Sequence, residues 1–445
     1  MTESKNSEIV DVNIFPILIN IQVFSIFLFK FGIISFRAVP RIIEVFSDFL
    51  KIPLKKYHFT SVINWSLKLG LYKLKSAKQL SEDWTAIIDA SIKLGKKKIL
   101  LVLRVPTRIM IKRVKALDFN DIEVVGLYVQ ESLTGEIIAD LVKPLFSKLS
   151  NPNQILTDGA GDLEKSIKII FNTTESKCFH SLDIGHFSAN VLKKAYINNE
   201  QFIKFLEFTS RVSSKLNQTI AAWICPNKLP IKARFQGISD IAKWSEKAFE
   251  YFKNHIDDCE TETKKLLIAN FQGYEFLVKF AKKFNKDCQL INEVSKIVKN
   301  KGLSEFTFIE AMKVLSKLSP KSQIRIPLEN YLRTNMKQFR ENEVETGLLS
   351  SDIIEPVFGK IKYIMKNSPS KEINKLSLLI PGLVGEFNEE LIINAIREIK
   401  IKDIKKWEEE NVKNTILKKR RKEFSRIKPK KDVPKHAEYT TPLVA

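Results

Sequence analysis

The chain has 445 residues, 44% of them hydrophobic, with 73 Lys+Arg against 51 Asp+Glu and a formal net charge of +22. At roughly 100–200 residues per domain this length implies several packed domains and excludes disorder throughout, and four scattered cysteines without a CxxC pair argue against a disulfide scaffold or a zinc ribbon and for a reducing interior. The positive excess points to a polyanionic partner, nucleic acid ahead of an anionic membrane surface, because neutralised phosphates release counterions.

The stretch Val12 to Phe29 carries no formal charge and approaches the length of a membrane span. Pro16, Asn20 and Gln22 interrupt it, and the acidic flank of Glu3, Glu8 and Asp11 is wrong for a signal peptide. A buried helix, with no membrane partner, is the expectation. Residues 31–80 read as short helices: one opens at Ser35-Phe36-Arg37, and a second begins near Thr60 and ends at Gly70. The second is basic, with Lys68, Lys73 and Lys75, and the pair fits a helix-turn-helix.

From Trp84 the pattern changes to β. Trp84–Ile92 and Lys98–Val105 are apolar runs separated by a hairpin-length segment with Gly95, and Ile122–Val129 is a third. A helix to about Leu149, a strand Gln154–Asp158, a helix to about Phe171 and a strand Lys177–Asp183 follow. The order β-β-β-α-β-α-β predicts an α/β fold with a mixed sheet and helices on its faces. Beyond His186 the spacing is helical for about 150 residues, over 202–216, 241–252, 263–284 and 305–318, with a turn at Cys225-Pro226-Asn227 to Pro230. From Lys400 to Lys435 there are 15 Lys+Arg against 6 Asp+Glu, a basic arm.

Two carboxylates ask for an explanation. Asp89 interrupts the run Trp84-Thr85-Ala86-Ile87-Ile88-Asp89-Ala90, and a buried ionised carboxylate is costly unless paired or bound to a cation. Asp158 ends Ile155-Leu156-Thr157-Asp158, just before the Gly159-Ala160-Gly161 turn, where strand ends of α/β sheets face a cleft. Each alone reads equally as a strand-end acid; together they form a hard-oxygen pair suited to Mg²⁺ or Mn²⁺.

With 69 residues between these acids, the chain resembles the ribonuclease-H-like nucleotidyl transferases, specifically bacterial insertion-sequence transposases with an Asp-Asp-Glu triad. The resemblance runs over residues 31–365 and rests on three further stretches. Ser350-Ser351-Asp352-Ile353-Ile354-Glu355-Pro356-Val357-Phe358-Gly359-Lys360-Ile361-Lys362 looks like the segment carrying the third acid, with Glu355 and Lys362 on one helical face. Asp352 and Glu355 also fit a capping box, and Pro356 requires the helix to begin close to Glu355. Trp65 to Leu74 looks like the DNA-binding segment, and Leu182-Asp183-Ile184-Gly185-His186 resembles the motif after the last core strand.

The expected organisation is a helical N-terminal region (1–80) with a DNA-binding segment, a ribonuclease-H-like core (81–190) interrupted by an all-α insertion (191–345), a core helix with the third acid (346–366), and a helical and basic tail (367–445); the resemblance has no counterpart for the first 30 residues or the far tail. It implies Asp89, Asp158 and Glu355 as catalytic residues on two Mg²⁺ ions, which Mn²⁺ can replace, acting in DNA strand cleavage and transfer. Asp183 and His186 support the site, and Arg37, Lys68, Arg234, Lys360 and Lys362 contact DNA. A homodimer or higher oligomer on transposon ends, in the bacterial cytoplasm at the nucleoid, completes the expectation. Trp223 and Trp244 read either as core residues or as a platform for an unpaired base. A catalytically inactive DNA-binding protein or repressor is the alternative. Cys178, His180, Asp183 and His186 could suggest zinc but lack a second ligand pair at the right spacing, and the absence of GxxxxGK[ST] leaves ATP chemistry without support.

Overall fold

The computed structural model describes residues 20–32, 34–51, 54–76, 83–94, 96–111, 113–171, 178–227, 235, 238–367, 371–413 and 415–426. Three helices come first, α1 (Ile21–Lys30), α2 (Ala38–Leu50) and α3 (Phe59–Lys75). The sheet region follows as β1 (Trp84–Leu94), β2 (Lys97–Pro106), α4 (Thr107–Ile111), β3 (Glu123–Gln130), α5 (Gly135–Leu149), β4 (Gln154–Thr157), α6 (Gly161–Phe171) and β5 (Phe179–Leu182). Its strands lie in the order β3-β2-β1-β4-β5, with β1–β2 and β2–β3 antiparallel and β1–β4 and β4–β5 parallel. The strands come in the predicted sequence, except that the short α4 falls between β2 and β3, and this five-stranded mixed sheet is compatible with a ribonuclease-H-like core.

Period-two alternation decides which face of the sheet buries what. Trp84, Ala86, Ile88, Leu100 and Val102 face α5 and α6. Ile87, Leu101, Leu103 and Val105 face the other way, into a core shared with α3, with α14 (Ile354–Lys366) and with α15 (Leu379–Leu383). Asp89 has the parity of Ile87 and therefore belongs to the α14 side.

Between β5 and α14 runs a helical excursion: α7 (Ile184–Tyr196), α8 (Glu200–Leu216), α9 (Ile238–His255), α10 (Thr261–Phe271), α11 (Glu275–Lys301), α12 (Glu305–Leu315) and α13 (Arg325–Glu341). These helices bury a separate phenylalanine-rich core around Phe202, Phe205, Phe280 and Phe284. The single helix predicted over 263–284 is two. It breaks at Gly273, whose φ of +81° is a left-handed conformation that glycine adopts without strain, although the apolar spacing continues through the break.

The last helices among the described residues are α16 (Glu389–Glu398), α17 (Ile401–Asn411) and the basic, exposed α18 (Ile416–Phe424). The N-terminal helices and these C-terminal ones form one layer: α3 packs on α1, α15, α16 and α17. The helix expected to be the second of a helix-turn-helix, α3, packs as a core helix. Val62, Leu67, Leu69 and Leu71 are buried, and a Cβ at Gly70 would overlap the Leu378 carbonyl oxygen of the neighbouring turn. Within the uncharged run, Asn20 caps α1 by accepting from the Gln22 and Val23 N–H groups, while residues 12–19 lie outside the described residues. Among the described residues no helix is long and apolar enough to cross a membrane.

Candidate active site

The register of β1 on β4 sets the first two acids opposite each other. Thr85, Ala86 and Ile87 pair with Gln154, Ile155 and Leu156, an offset of 69 that is also the separation of Asp89 from Asp158. Two residues beyond the last pair, Asp89 continues β1 while Asp158 turns away from β4 toward α6. That turn is built locally. The Asp158 Oδ1 accepts the Ala160 N–H at 2.8 Å, the Thr157 hydroxyl accepts the Gly159 N–H at 3.3 Å, and Gly159 takes φ +81°. The Thr157 hydroxyl also meets His180 Nε2 at 2.8 Å, and burial pushes the His180 ring down to about 4.

The third acid arrives on α14, which packs directly on β1. Ile354, Val357, Phe358, Ile361 and Met365 are its buried stripe, and Pro356 is accommodated in the first turn. Glu355, Phe358, Gly359 and Lys362 form the adjacent stripe and line one open cleft of about 360 Å³ together with Asp89, Asp158, His186 and Asp352. The helix begins with Ile353 as its N-cap, without a side-chain cap, so the Asp352–Glu355 capping box does not form. Asp352 instead accepts from Lys299 Nζ, at the end of α11, at 2.5 Å.

Burial pushes the Asp89 carboxyl up to about 6, and the charges of Asp158 and Glu355 add to this; an Ala90 backbone hydrogen bond and His186 pull the other way. His186 Nδ1 lies 3.2 Å from Asp183 Oδ1, a contact that raises its affinity for a proton, as do Asp158 and Asp89. Burial opposes charge on Asp183. Its bonds to the His186 ring and to the Ser351 and His186 N–H groups outweigh that and hold it at about 2.

Neither a family model nor a curated protein matches this chain. Among solved structures it is similar to a chain of the Drosophila P element transposase strand transfer complex, with a TM-score of 0.42, 12% identity, and coverage of 83% of this chain and 92% of that one.

Other predicted residues lie elsewhere or serve other elements. Lys68 Nζ donates to the Ile396 carbonyl at 2.8 Å, which ties α3 to α16. Lys360 Nζ donates to the Lys30 carbonyl at 3.3 Å, turned toward α1 and not into the cleft. Arg37 is exposed at the start of α2 with its guanidinium 5.3 Å from the Phe59 ring centroid. Arg234 lies outside the described residues. Trp244 donates its indole N–H to the Ile224 carbonyl at 2.7 Å, whereas Trp223 is exposed and stands edge-on to Tyr251. Sequence reasoning missed Lys299, and it missed Gln154, a polar residue opening an apolar strand.

The donor set suits a hard divalent cation: three carboxylates, one of them desolvated and repelled by the other two. The set is not drawn together, since among the described residues no three His, Cys, Asp or Glu side chains are close enough to hold a metal ion.

Proposed function

We propose that the chain is a DNA strand transferase of the Asp-Asp-Glu transposase type, which cleaves phosphodiesters at the ends of a mobile element and joins them to target DNA. The observation that supports this best is the cleft itself. Asp89 is half-buried in the cleft and under like-charge repulsion from Asp158 and Glu355, an arrangement that costs folding energy and that a bound cation would relieve.

Asp89, Asp158 and Glu355 would hold two Mg²⁺ or Mn²⁺ ions. Bound there, divalent cations stabilise the attacking and leaving oxygens of an in-line displacement. The chain supplies the rest. Lys362, two turns along α14 from Glu355, meets the DNA backbone as a point charge. His186, held by Asp183 and with its affinity for a proton raised, stands beside the acids. Phe358 and Ile354 exclude water from the inner wall of the cleft. The basic α18 and the residues after it add long-range attraction for DNA.

The test is Mn²⁺-dependent nicking of DNA carrying the element's ends. Loss of nicking in Asp89→Ala and Glu355→Ala supports the reading, and undiminished cleavage by either variant overturns it. A second reading, a DNA-binding protein without activity, is favoured by the acids not standing at mutual ligand distance. It predicts end binding by the unmutated protein with no nicking in Mn²⁺.

A further inference from the structure

The segment that delivers Glu355 comes back to the sheet after an excursion through seven helices, and it does not join the sheet as a strand. A connection this long carries no memory of where its two ends should meet. Something at the point of return must fix the position.

That point is Gln154, the first residue of β4, 1% exposed. Its side chain pairs with Leu348 as a neighbouring backbone would: Oε1 accepts the Leu348 N–H at 3.1 Å, and Nε2 donates to the Leu348 carbonyl at 2.6 Å. The remaining capacity of the amide is used inside the sheet. Nε2 donates to Ser181 Oγ on β5 at 3.0 Å, and Oε1 accepts from Thr85 Oγ1 on β1 at 3.3 Å. Leu348 offers both a donor and an acceptor, so the amide orientation has one solution.

Two further bonds carry the register onward. Ile184 N–H donates to the Leu349 carbonyl at 2.8 Å, and Asp183 Oδ2 accepts the Ser351 N–H at 2.7 Å and its hydroxyl at 2.9 Å. α14 starts three residues later.

We propose that Gln154 is a positioning residue for the third acid: by holding Leu348 against β4 it sets where α14 begins and where Glu355 stands relative to Asp89 and Asp158. Glutamate lacks the donor, methionine lacks both functions, and asparagine is one methylene short of the reach. A polar side chain in a buried central strand is costly unless every atom is paired, and here each partner lies on a piece of structure that bears on the cleft. This rests on Glu355 belonging to the acid set, so the test has one arm that needs no catalysis.

Gln154→Met keeps length and approximate volume. In the full chain without DNA, hydrogen exchange of peptides covering residues 347–353 is expected to quicken at least tenfold, with β2 and β3 peptides unchanged. In the cleavage assay, kcat is expected to fall tenfold or more with KM for DNA within twofold, and to recover partly at raised Mn²⁺. Native-like exchange at 347–353 overturns the proposal whatever the activity. Quickened exchange with unaltered kcat also overturns it, because the segment would then be held without consequence for the acid. Quickened exchange in a protein whose unmutated form shows no cleavage leaves the positioning intact and removes the catalytic reading. Should Gln154→Met not fold, Gln154→Asn, which keeps the amide but is one methylene short of Leu348, is expected to quicken exchange at 347–353 and lower kcat severalfold; no change in either overturns the proposal.

Discussion

Asp89 and Asp158 come to the same end of the sheet because the offset between β1 and β4 equals their separation in the chain. The charge of Asp158 accordingly adds to burial in raising the Asp89 carboxyl.

Replacing Asp89 with asparagine keeps the shape and removes the buried charge. Stability at neutral pH is expected to rise by roughly 1–3 kcal/mol while nicking falls at least 100-fold, the opposition expected where a strained site serves function. Thermal unfolding and a nicking assay on the same preparation check it. A variant that is both less stable and fully active would contradict the assignment.

Divalent cation should act on stability through the same acids. Mg²⁺ or Mn²⁺ at about 100 times its dissociation constant adds about 2.7 kcal/mol to a protein that binds it only when folded. The melting temperature of the unmutated chain is expected to climb with cation concentration, and those of Asp89→Asn and Glu355→Gln to climb much less. Equal shifts in all three would mean that the ions bind elsewhere.

Asp183 governs acid tolerance. Its folded carboxyl is held at about 2 against an ordinary 3.8, so its stabilisation is fully present above the ordinary value and is lost as pH falls from about 4 toward 2. The amount is on the order of 2 kcal/mol. Asp183→Asn is expected to be less stable at neutral pH and to show a flatter loss of stability across that acid window. Parallel acid-unfolding curves for the two proteins would refute this.

Lys30 works in the opposite direction. Burial and the nearby charge of Lys360 push its ammonium down to about 8, and its Nζ is buried without a hydrogen-bond partner, 4.0 Å from the Phe387 ring centroid. A folded pKa below the unfolded one makes the penalty full below pH 8 and lets it fade toward 10.5. Lys30→Met is expected to raise the melting temperature by a few degrees at pH 7 and by less at pH 10. A gain that does not shrink with pH would show that packing, and not charge, was relieved.

The packing of α3 gives a test of how the N-terminal region is built. Gly70→Ala places a methyl against the backbone of residue 378, where no side-chain movement can relieve it. A loss of several kcal/mol, or insoluble protein, is expected in a thermal or denaturant melt. Near-native stability would return α3 to the surface, as a DNA-reading helix requires.

The sheet was legible in the sequence because its signal is local. An apolar run broken by one Asp marks β1, and the Asp-Gly pair marks the end of β4. The start of α14 was legible for the same reason, since Pro356 restricts where that helix can begin. Roles that depend on distant partners were not. Lys68 and Lys73 read as a basic face, yet their ammonium groups bond the carbonyls of Ile396 and Val384, more than 300 residues away. Gln154 looked unremarkable because its partner Leu348 lies 194 residues downstream. The break at Gly273 was hidden by apolar spacing that runs through it unbroken.

The late return of the chain at Leu348 also orders events in time. Asp89 and Asp158 leave the ribosome early and can fold with β1 and β4, but Glu355 emerges only after the whole helical excursion has been synthesised. At 5–20 residues per second, on the order of ten seconds or more separate the second acid from the third. A nascent chain in that interval holds Asp89 and Asp158 and lacks Glu355, so the proposed acid set can be assembled only after the helical excursion has been made.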